Sequence, residues 1–597
     1  MFWRAFAAAS FLVMGTSCGG PSPPPPPPSP VRASGTSTPA PASGPLFVNA
    51  APEAGLTAVL YCGGADKDHI MESVGTGAAF VDFDEDGRLD VFLVNGWALD
   101  EEPSRVRLKG RNVLYRNIGG GRFEDVTDRS GVGDEGWGCG VCAADYDNDG
   151  HVDLFVTGFG PARLYRNRGD GTFEQAAGRA GLSDPGWGAG AAFFDADADG
   201  DLDLYVARYI EATLDDVLAA RRTSTWRDTA KVMAGPFGLR GGKDRFYRNN
   251  GDGTFRDATE EAGMADLAES YGLGVLASDL DNDGDVDVYV ANDSNPNFLY
   301  RNEGRGKFTE IGTWSGAGLS DDGIAQAGMG VEAGDLDGDG LQEIFVTNFA
   351  RDHATLYKNL GGLSFADVSG GWNLKKLTHD TLKWGCAIFD YDLDGDGDLM
   401  IANGHIYPQV DLFSRLDESY KQVPTLLRND GGRLTDVSRS AGPGMQVAAS
   451  ARGLAAGDYD DDGDLDLLIT TIDGPPLLLR NDTTRAGHWL KLRLLNRHGS
   501  PAINARAIVS AGGASLTREL RSGSSYQSQN ALELHFGLGR SPRVDTIQVI
   551  WPGGGRSVRK DVEVDGTITL REPSAEAGGE PVRPADRLQP GGASGRF

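Results

Sequence analysis

Seven times along the chain, four acidic residues crowd into nine positions around a glycine, as in "DYDLDGDGD" from Asp390. The copies comprise Asp82, Asp84, Asp86 and Asp90; Asp145, Asp147, Asp149 and Asp153; Asp195, Asp197, Asp199 and Asp203; and Asp279, Asp281, Asp283 and Asp287. They continue with Asp335, Asp337, Asp339 and Glu343; Asp390, Asp392, Asp394 and Asp398; and Asp458, Asp460, Asp462 and Asp466. Carboxylates at this spacing repel one another and oppose compaction unless a cation lies among them. In a tightly curled loop, positions 1, 3 and 5 point inward, and glycine at position 6 permits the bend. Position 7 varies freely, from Arg88 and His151 to Leu341, which suits a backbone carbonyl as ligand. Six or more hard oxygens at about 2.4 Å fit calcium better than magnesium. The 28 acidic residues at positions 1, 3, 5 and 9 are therefore the expected metal ligands, with up to seven Ca2+ ions in a structural role.

An EF-hand loop needs glutamate at position 12, and here that position holds Leu93, Val156, Val206, Val290, Val346, Ile401 and Ile469. Positions 8, 10 and 12 are apolar in most copies, the period of a half-buried strand that starts inside the loop. The formal net charge of -30 over 597 residues nearly equals the 28 acidic groups in the loops. So acidic a chain, without a basic run or aromatic ladder, is not expected to bind nucleic acid or an anionic membrane.

The loops at 82 and 458 are six repeats apart, which gives about 63 residues per unit. Five residues before each first Asp stands a glycine: Gly77, Gly140, Gly190, Gly274, Gly330, Gly385 and Gly453. Such regular glycines mark close backbone approach, as inner strands gathered round an axis require. After each loop strand comes "LYRN" or a variant, then in most copies a glycine turn and another strand, as in "NNGDGTFRDAT". Four strands per unit and seven units predict an all-β, seven-bladed β-propeller. The segment "PLFVNAAPEAGL" from Pro45 is expected to supply the last blade's outer strand and close the ring.

The "DxDxDGxxD" strands and "LYRNxGxGxF" hairpins resemble FG-GAP/VCBS repeats of the integrin-type calcium propeller over about 440 residues. "HWLKLRLLN", "RELRSGSSYQSQNALELHFGLG" and "VDTIQVIWPGG" resemble the ASPIC/UnbV domain, and the combined layout is similar to the cartilage acidic protein family and its bacterial relatives. The resemblance implies calcium binding and an extracytoplasmic location, and names no reaction. The resulting organisation is a signal peptide at 1–18, a Pro-rich disordered linker at 19–44, the propeller at 45–486, an ASPIC/UnbV domain at 487–572 and a disordered tail at 573–597. The C-terminal domain is expected to form a small β-sandwich beside the ring.

"GTSC" before the linker resembles a lipobox, which makes Cys18 the candidate lipidation site, although Gly15 stands where leucine is usual; plain signal cleavage is the alternative. Cys62, Cys139, Cys142 and Cys386 read as buried thiols or a structural bridge. His405, Tyr407, Trp97, Asp293 and Asn295 follow loop strands, which allows a shared pocket at one mouth of the ring. Ser524, Ser525 and Gln529 form no nucleophile elbow, and no catalytic residue is assigned. The insertion Tyr209–Lys243 contains a short helix around "TLDDVLAARR". The expected function is an exported, calcium-stabilised surface module that binds a protein or glycan and touches a membrane only through its N-terminal lipid. The alternatives are an extracytoplasmic enzyme or biosynthetic accessory protein using the propeller mouth, and a structural envelope component.

Overall fold

The computed structural model describes residues 46–573, except 101–104, 183–184, 221, 266–268 and 485–486. The signal at 1–18 with Cys18, the linker at 19–44 and all but the first residue of the 573–597 tail lie outside the described residues.

Each repeat unit forms one four-stranded antiparallel sheet, and there are seven of these among the described residues. In unit 1 the strands are Ala78–Val81, Asp90–Leu93, Val113–Gly119 and Arg122–Asp125. The second strand of every unit begins on the position 9 acid: Asp90, Asp153, Asp203, Asp287, Glu343, Asp398 or Asp466. The first strands pack in sequence order, and Ala451–Gly457 of unit 7 packs on Ala78–Val81 of unit 1, so the ring closes. Phe47–Asn49 pairs with Leu477–Asn481 as the outer strand of unit 7, with Phe47 opposite Asn481, as the sequence predicted.

The strand glycines serve this convergence. A Cβ on Gly190 would lie 2.5 Å from the Leu273 carbonyl oxygen, on Gly274 2.3 Å from that of Met329, and on Gly330 2.3 Å from that of Trp384. Any side chain there would push neighbouring inner strands apart.

A second ring of contacts was not legible in the sequence. The asparagine of each "RN" or "KN" pair donates its side-chain N–H to a backbone carbonyl of the preceding unit: Asn117 to Tyr459, Asn167 to Phe83, Asn249 to Tyr146, Asn302 to Ala196, Asn359 to Leu280, Asn429 to Leu336 and Asn481 to Tyr391, at 2.8–3.0 Å. All seven accepting carbonyls belong to position 2 of an acidic loop. Asn167→Ala should cost about 2–3 kcal/mol in chemical denaturation, because the buried carbonyls of Phe83 and Val152 lose their donor.

The C-terminal domain has two sheets. One orders Ala514–Glu519, Arg506–Ala511, Val544–Ile550 and Arg556–Val562; the other orders Leu534–Gly537, Trp489–Leu495 and Gly566–Arg571, with the last two parallel. Leu490, Leu492, Val509, Phe536, Val549 and Trp551 fill the core between them. The domain is not simply beside the ring. It sits on the face formed by the acidic loops, and the segment "RSGSSYQSQNAL" between its sheets enters the axis of the propeller. There the N–H groups of Phe80, Val141 and Val331 donate to the carbonyls of Gln529, Gln527 and Ser525 at 3.1, 3.1 and 2.9 Å. Cys386 N–H donates to Ser525 Oγ and Ala456 N–H to Asn530 Oδ1, both at 2.9 Å. Five of the seven inner strands thus donate hydrogen bonds to one foreign segment, because converging strands present N–H groups that need acceptors.

Tyr526 reaches furthest along the axis. It is fully buried, its hydroxyl donates to Val74 O at 3.0 Å, and its ring lies 4.9 Å from that of Trp384. Beyond it, the Tyr209–Lys243 insertion contributes Val217, Ala230, Val232 and Met233 to a large apolar cluster with Trp137, Trp187 and Tyr407. The helix expected there spans Leu214–Ala219, capped reciprocally by Thr213 and Asp216. The four described cysteines are buried free thiols, so the bridge reading of Cys139 and Cys142 does not hold.

Candidate metal centres

Each loop is wound by its own backbone. In unit 2, Asp145 accepts the N–H groups of Asp149 and Gly150 at 3.0 Å, and Asp149 accepts that of His151 at 3.0 Å. Position 6 glycines have φ between +85° and +100°, the left-handed region that glycine alone adopts without strain. Position 4 is left-handed as well: Glu85, Asn148, Ala198, Asn282, Gly338, Leu393 and Asp461 all have positive φ. The sequence gives no single residue type there, so this second bend went unread.

The position 9 acid is held from two sides. Asp153 accepts Tyr146 N–H at 3.1 Å and Asn167 N–H at 2.7 Å, and Asp466 repeats the pattern with Tyr459 at 3.2 Å and Asn481 at 2.8 Å. These bonds fix the carboxylate where the second strand leaves the loop. Asp145, Asp147 and Asp153 bring one oxygen each to within 4.8 Å of one another, as do Asp82, Asp84 and Asp86, Asp195, Asp197 and Asp199, Asp279, Asp281 and Asp283, and Asp335, Asp337 and Asp339.

These residues fit a hard divalent cation. Buried oxygens of Asp82, Asp84, Asp147, Asp392, Asp396 and Asp460 have no hydrogen-bond donor. Burying a carboxylate oxygen without a partner is costly, and a hard cation such as calcium would supply the missing partner. Without one, burial together with neighbouring carboxylates raises Asp90, Asp203 and Asp390 to about 8, and Asp392 and Asp460 to about 6.

The C-terminal domain reads the same loops with basic groups. Arg493 donates to Gly87 O at 2.8 Å, and Arg506 donates to Asp279 O at 2.6 Å while pairing with the Asp279 carboxylate at 3.1 Å. Lys491 reaches Asp458 at 2.8 Å and Asp461 at 2.6 Å. Gly539 N–H donates to Leu393 O at 2.9 Å.

Of the residues proposed for a mouth pocket, His405, Tyr407 and Trp97 join one aromatic cluster at the end of the ring opposite the loops. His405 is fully buried, 5.3 Å from the Tyr407 ring and 3.7 Å from Glu418, and burial with Arg452 nearby lowers its pKa to about 3. Glu418 is taken up by Trp226 Nε1 at 2.7 Å and by Arg227 and Arg351 at 3.1 Å. Asp293 accepts the Tyr209 hydroxyl at 2.7 Å, and Asn295 lies apart on the rim, donating to Glu269 O at 3.4 Å. His405, Tyr407 and Trp97 are packed in an aromatic interior, and Asn295 does not join them. Ser524, Ser525 and Gln529 belong to the axial segment. Arg452, missed in the sequence, is buried with its guanidinium 4.1 Å over Trp384 and donates to Ser73 O at 2.7 Å.

The chain matches the FG-GAP-like repeat over residues 82–156, 145–206, 229–290, 279–346 and 335–401, and ASPIC and UnbV over residues 496–577. Cartilage acidic protein 1 of Mus musculus is 26% identical over 332 residues, covering 54% of this chain and 48% of that protein. The Homo sapiens protein is 26% identical over 307 residues, covering 50% and 43%. The chain thus spans about half the length of these relatives. Among solved structures, an Agrocybe aegerita lectin that recognises non-reducing terminal N-acetylglucosamine aligns with a TM-score of 0.33 and 18% identity, covering 60% of this chain and 79% of that one. That alignment is too loose to bear on function.

Proposed function

The chain belongs to the ASPIC and UnbV proteins built on FG-GAP-like repeats and homologous to cartilage acidic protein 1, and on that premise we propose that it is an exported calcium-binding module that binds a protein or glycan at the cell surface. The repeats and the homology point to an extracellular interaction module. Among the described residues no helix is long and apolar enough to cross a membrane. Attachment of the full chain through a lipid on Cys18 is part of the same reading, and metabolic labelling with a radioactive fatty acid tests it against a Cys18→Ser control.

The observation that carries the calcium assignment is the set of buried carboxylate oxygens without donors, gathered in loops from which the second strands begin. Calcium supplies positive charge there and holds each loop to its sheet; the loop residues wind the backbone and aim the oxygens. A filled axis leaves the outer surface for a partner and counts against an enzyme working through the bore. On that surface Trp314 is 92% exposed, at a rim position where units 1 and 3 carry Arg129 and Glu261. A glycan array and a pull-down with the full chain, run in calcium and in EGTA, test the proposal. Capture of one ligand class in calcium, lost in EGTA and restored by recalcification, is the expected result. Equal binding in both conditions would remove calcium from the account of recognition.

A further inference from the structure

We propose that the loops take up calcium cooperatively, each filled loop raising the affinity of the loops on either side, with the asparagine of the "RN" or "KN" pair as the link; this rests on the reading of the loops as calcium sites. Each link joins a ligand of one loop to the backbone of the loop before it. The main-chain N–H of Asn167 donates to the position 9 acid of its own unit, Asp153, at 2.7 Å. Its side chain donates at 2.8 Å to the carbonyl of Phe83, which stands between the ligands Asp82 and Asp84 of unit 1. Asn249 makes the same two bonds, to Asp203 at 2.8 Å and to Tyr146 O at 2.9 Å, and Asn302 makes them to Asp287 and Ala196 O, both at 2.9 Å. Asn117 closes the circle, from Asp90 at 2.7 Å to Tyr459 O of unit 7 at 2.8 Å.

The position 2 residue that accepts this bond carries the path onward, because its own N–H donates to the position 9 acid of its loop: Phe83 to Asp90 at 3.1 Å, Tyr146 to Asp153 at 3.1 Å and Tyr459 to Asp466 at 3.2 Å. The path thus runs from one position 9 acid through a peptide and an asparagine to the next position 9 acid. Unit 5 is the variant: the Asn359 side chain holds Leu280 O at 2.8 Å and Gln342 O at 3.1 Å, so its tie to Glu343 passes through the residue beside it. Position 4 adds a second contact between some neighbours. Glu85 lies 2.5 Å from His151 of the next loop, and Asn148 donates to Asp201 of the next at 2.7 Å.

In an empty loop the carboxylates repel one another, and the position 9 acid is pushed from the place where its two N–H donors hold it. An ion draws that acid in and so fixes the asparagine that bonds to it. The asparagine then fixes the carbonyl between the first two ligands of the preceding loop, which meets its own ion with part of the ordering already done. Such coupling acts in both directions by thermodynamic necessity. A filled loop does not repel the next cation, because four carboxylates surround one divalent ion and leave the loop negative.

The test is hydrogen exchange of the metal-stripped full chain across a series of free calcium concentrations, read loop by loop by mass spectrometry. Asp149→Asn removes a ligand from loop 145–153, and the bonds of Asp149 go to Asp145, His151 and Arg166, all within unit 2. In that variant the calcium midpoints for protection of loops 82–90 and 195–203 should rise at least about twofold, while loops 335–343 and 390–398, three units away on either side, should stay unmoved. Asn167→Ala keeps the ligands of loop 82–90 intact and should still raise its midpoint; if that variant fails to fold, Asp149→Asn alone decides. Neighbouring loops unmoved in Asp149→Asn, or loop 82–90 unmoved in a folded Asn167→Ala, would overturn the inference while leaving the loops as calcium sites. Absence of any calcium-dependent protection, with no calcium retained in equilibrium dialysis, would overturn the calcium reading itself.

Discussion

Stripping divalent cations from the full chain with EDTA should lower its melting temperature by on the order of 10 °C or more. A site held at a hundred times its dissociation constant stabilises the folded state by about 2.7 kcal/mol, and seven such sites act on one closed ring. The loops cannot loosen singly, because each hands a carbonyl to the asparagine of the next unit. Calorimetry with and without calcium checks this, and an unchanged melting curve together with unchanged circular dichroism would sink the structural role of the ion.

The stripped chain should also acquire a pH dependence of definite sign. Burial raises Asp90, Asp203 and Asp390 to about 8 in the folded state, against about 3.9 for an unfolded aspartate. Groups that bind protons more tightly when folded contribute their full stability below about pH 4, and that contribution is lost as the pH climbs to about 8. The chelated chain should therefore melt several degrees higher at about pH 5.5 than at about pH 8. Calcium should flatten that slope at the upper end, where the ion replaces the protons.

The second large effect should come from the inner ring of glycines. A Cβ on Gly77 would stand 1.6 Å from the Gln527 carbonyl oxygen of the axial segment, and one on Gly274 2.3 Å from Met329 O. Backbone lies on both sides of these contacts, so neither partner can rotate away. Gly77→Val and Gly274→Val should each cost more than about 3 kcal/mol in urea denaturation. Gly178→Ala, with nothing within 4 Å, should be nearly neutral. Gly77→Val displaces the C-terminal segment and Gly274→Val the neighbouring strand, so comparable losses would show that the segment acts as part of the ring.

Much of this was legible because it repeats. A nine-residue pattern written seven times declares its own loops, the strand that follows each one and the number of sheets. The glycine five residues earlier announced close approach, and the segment from Pro45 declared itself a displaced outer strand by sharing the phase of "FEDVT" from Phe123. Features that occur once were hidden. "SGSSYQSQNA" is a run of small polar residues that reads as a surface loop, and only the unmet N–H groups of Phe80, Val141, Val331, Cys386 and Ala456 make the axis its place. His405 and Tyr407 read as candidates for a pocket, and the Tyr209–Lys243 insertion, remote in sequence, closes over them.

The sequence by itself determined the unit: where carboxylates gather, where the chain bends and which strand begins there, since these follow from residues within a few positions of one another. Only the tertiary structure decided what the units do to each other. The asparagine of one blade holding the loop of the preceding one, and the C-terminal segment filling the axis, are settled by groups tens to hundreds of residues apart. Short-range spacing carries no information about which of those distant groups will meet, because that depends on the curvature of the closed ring.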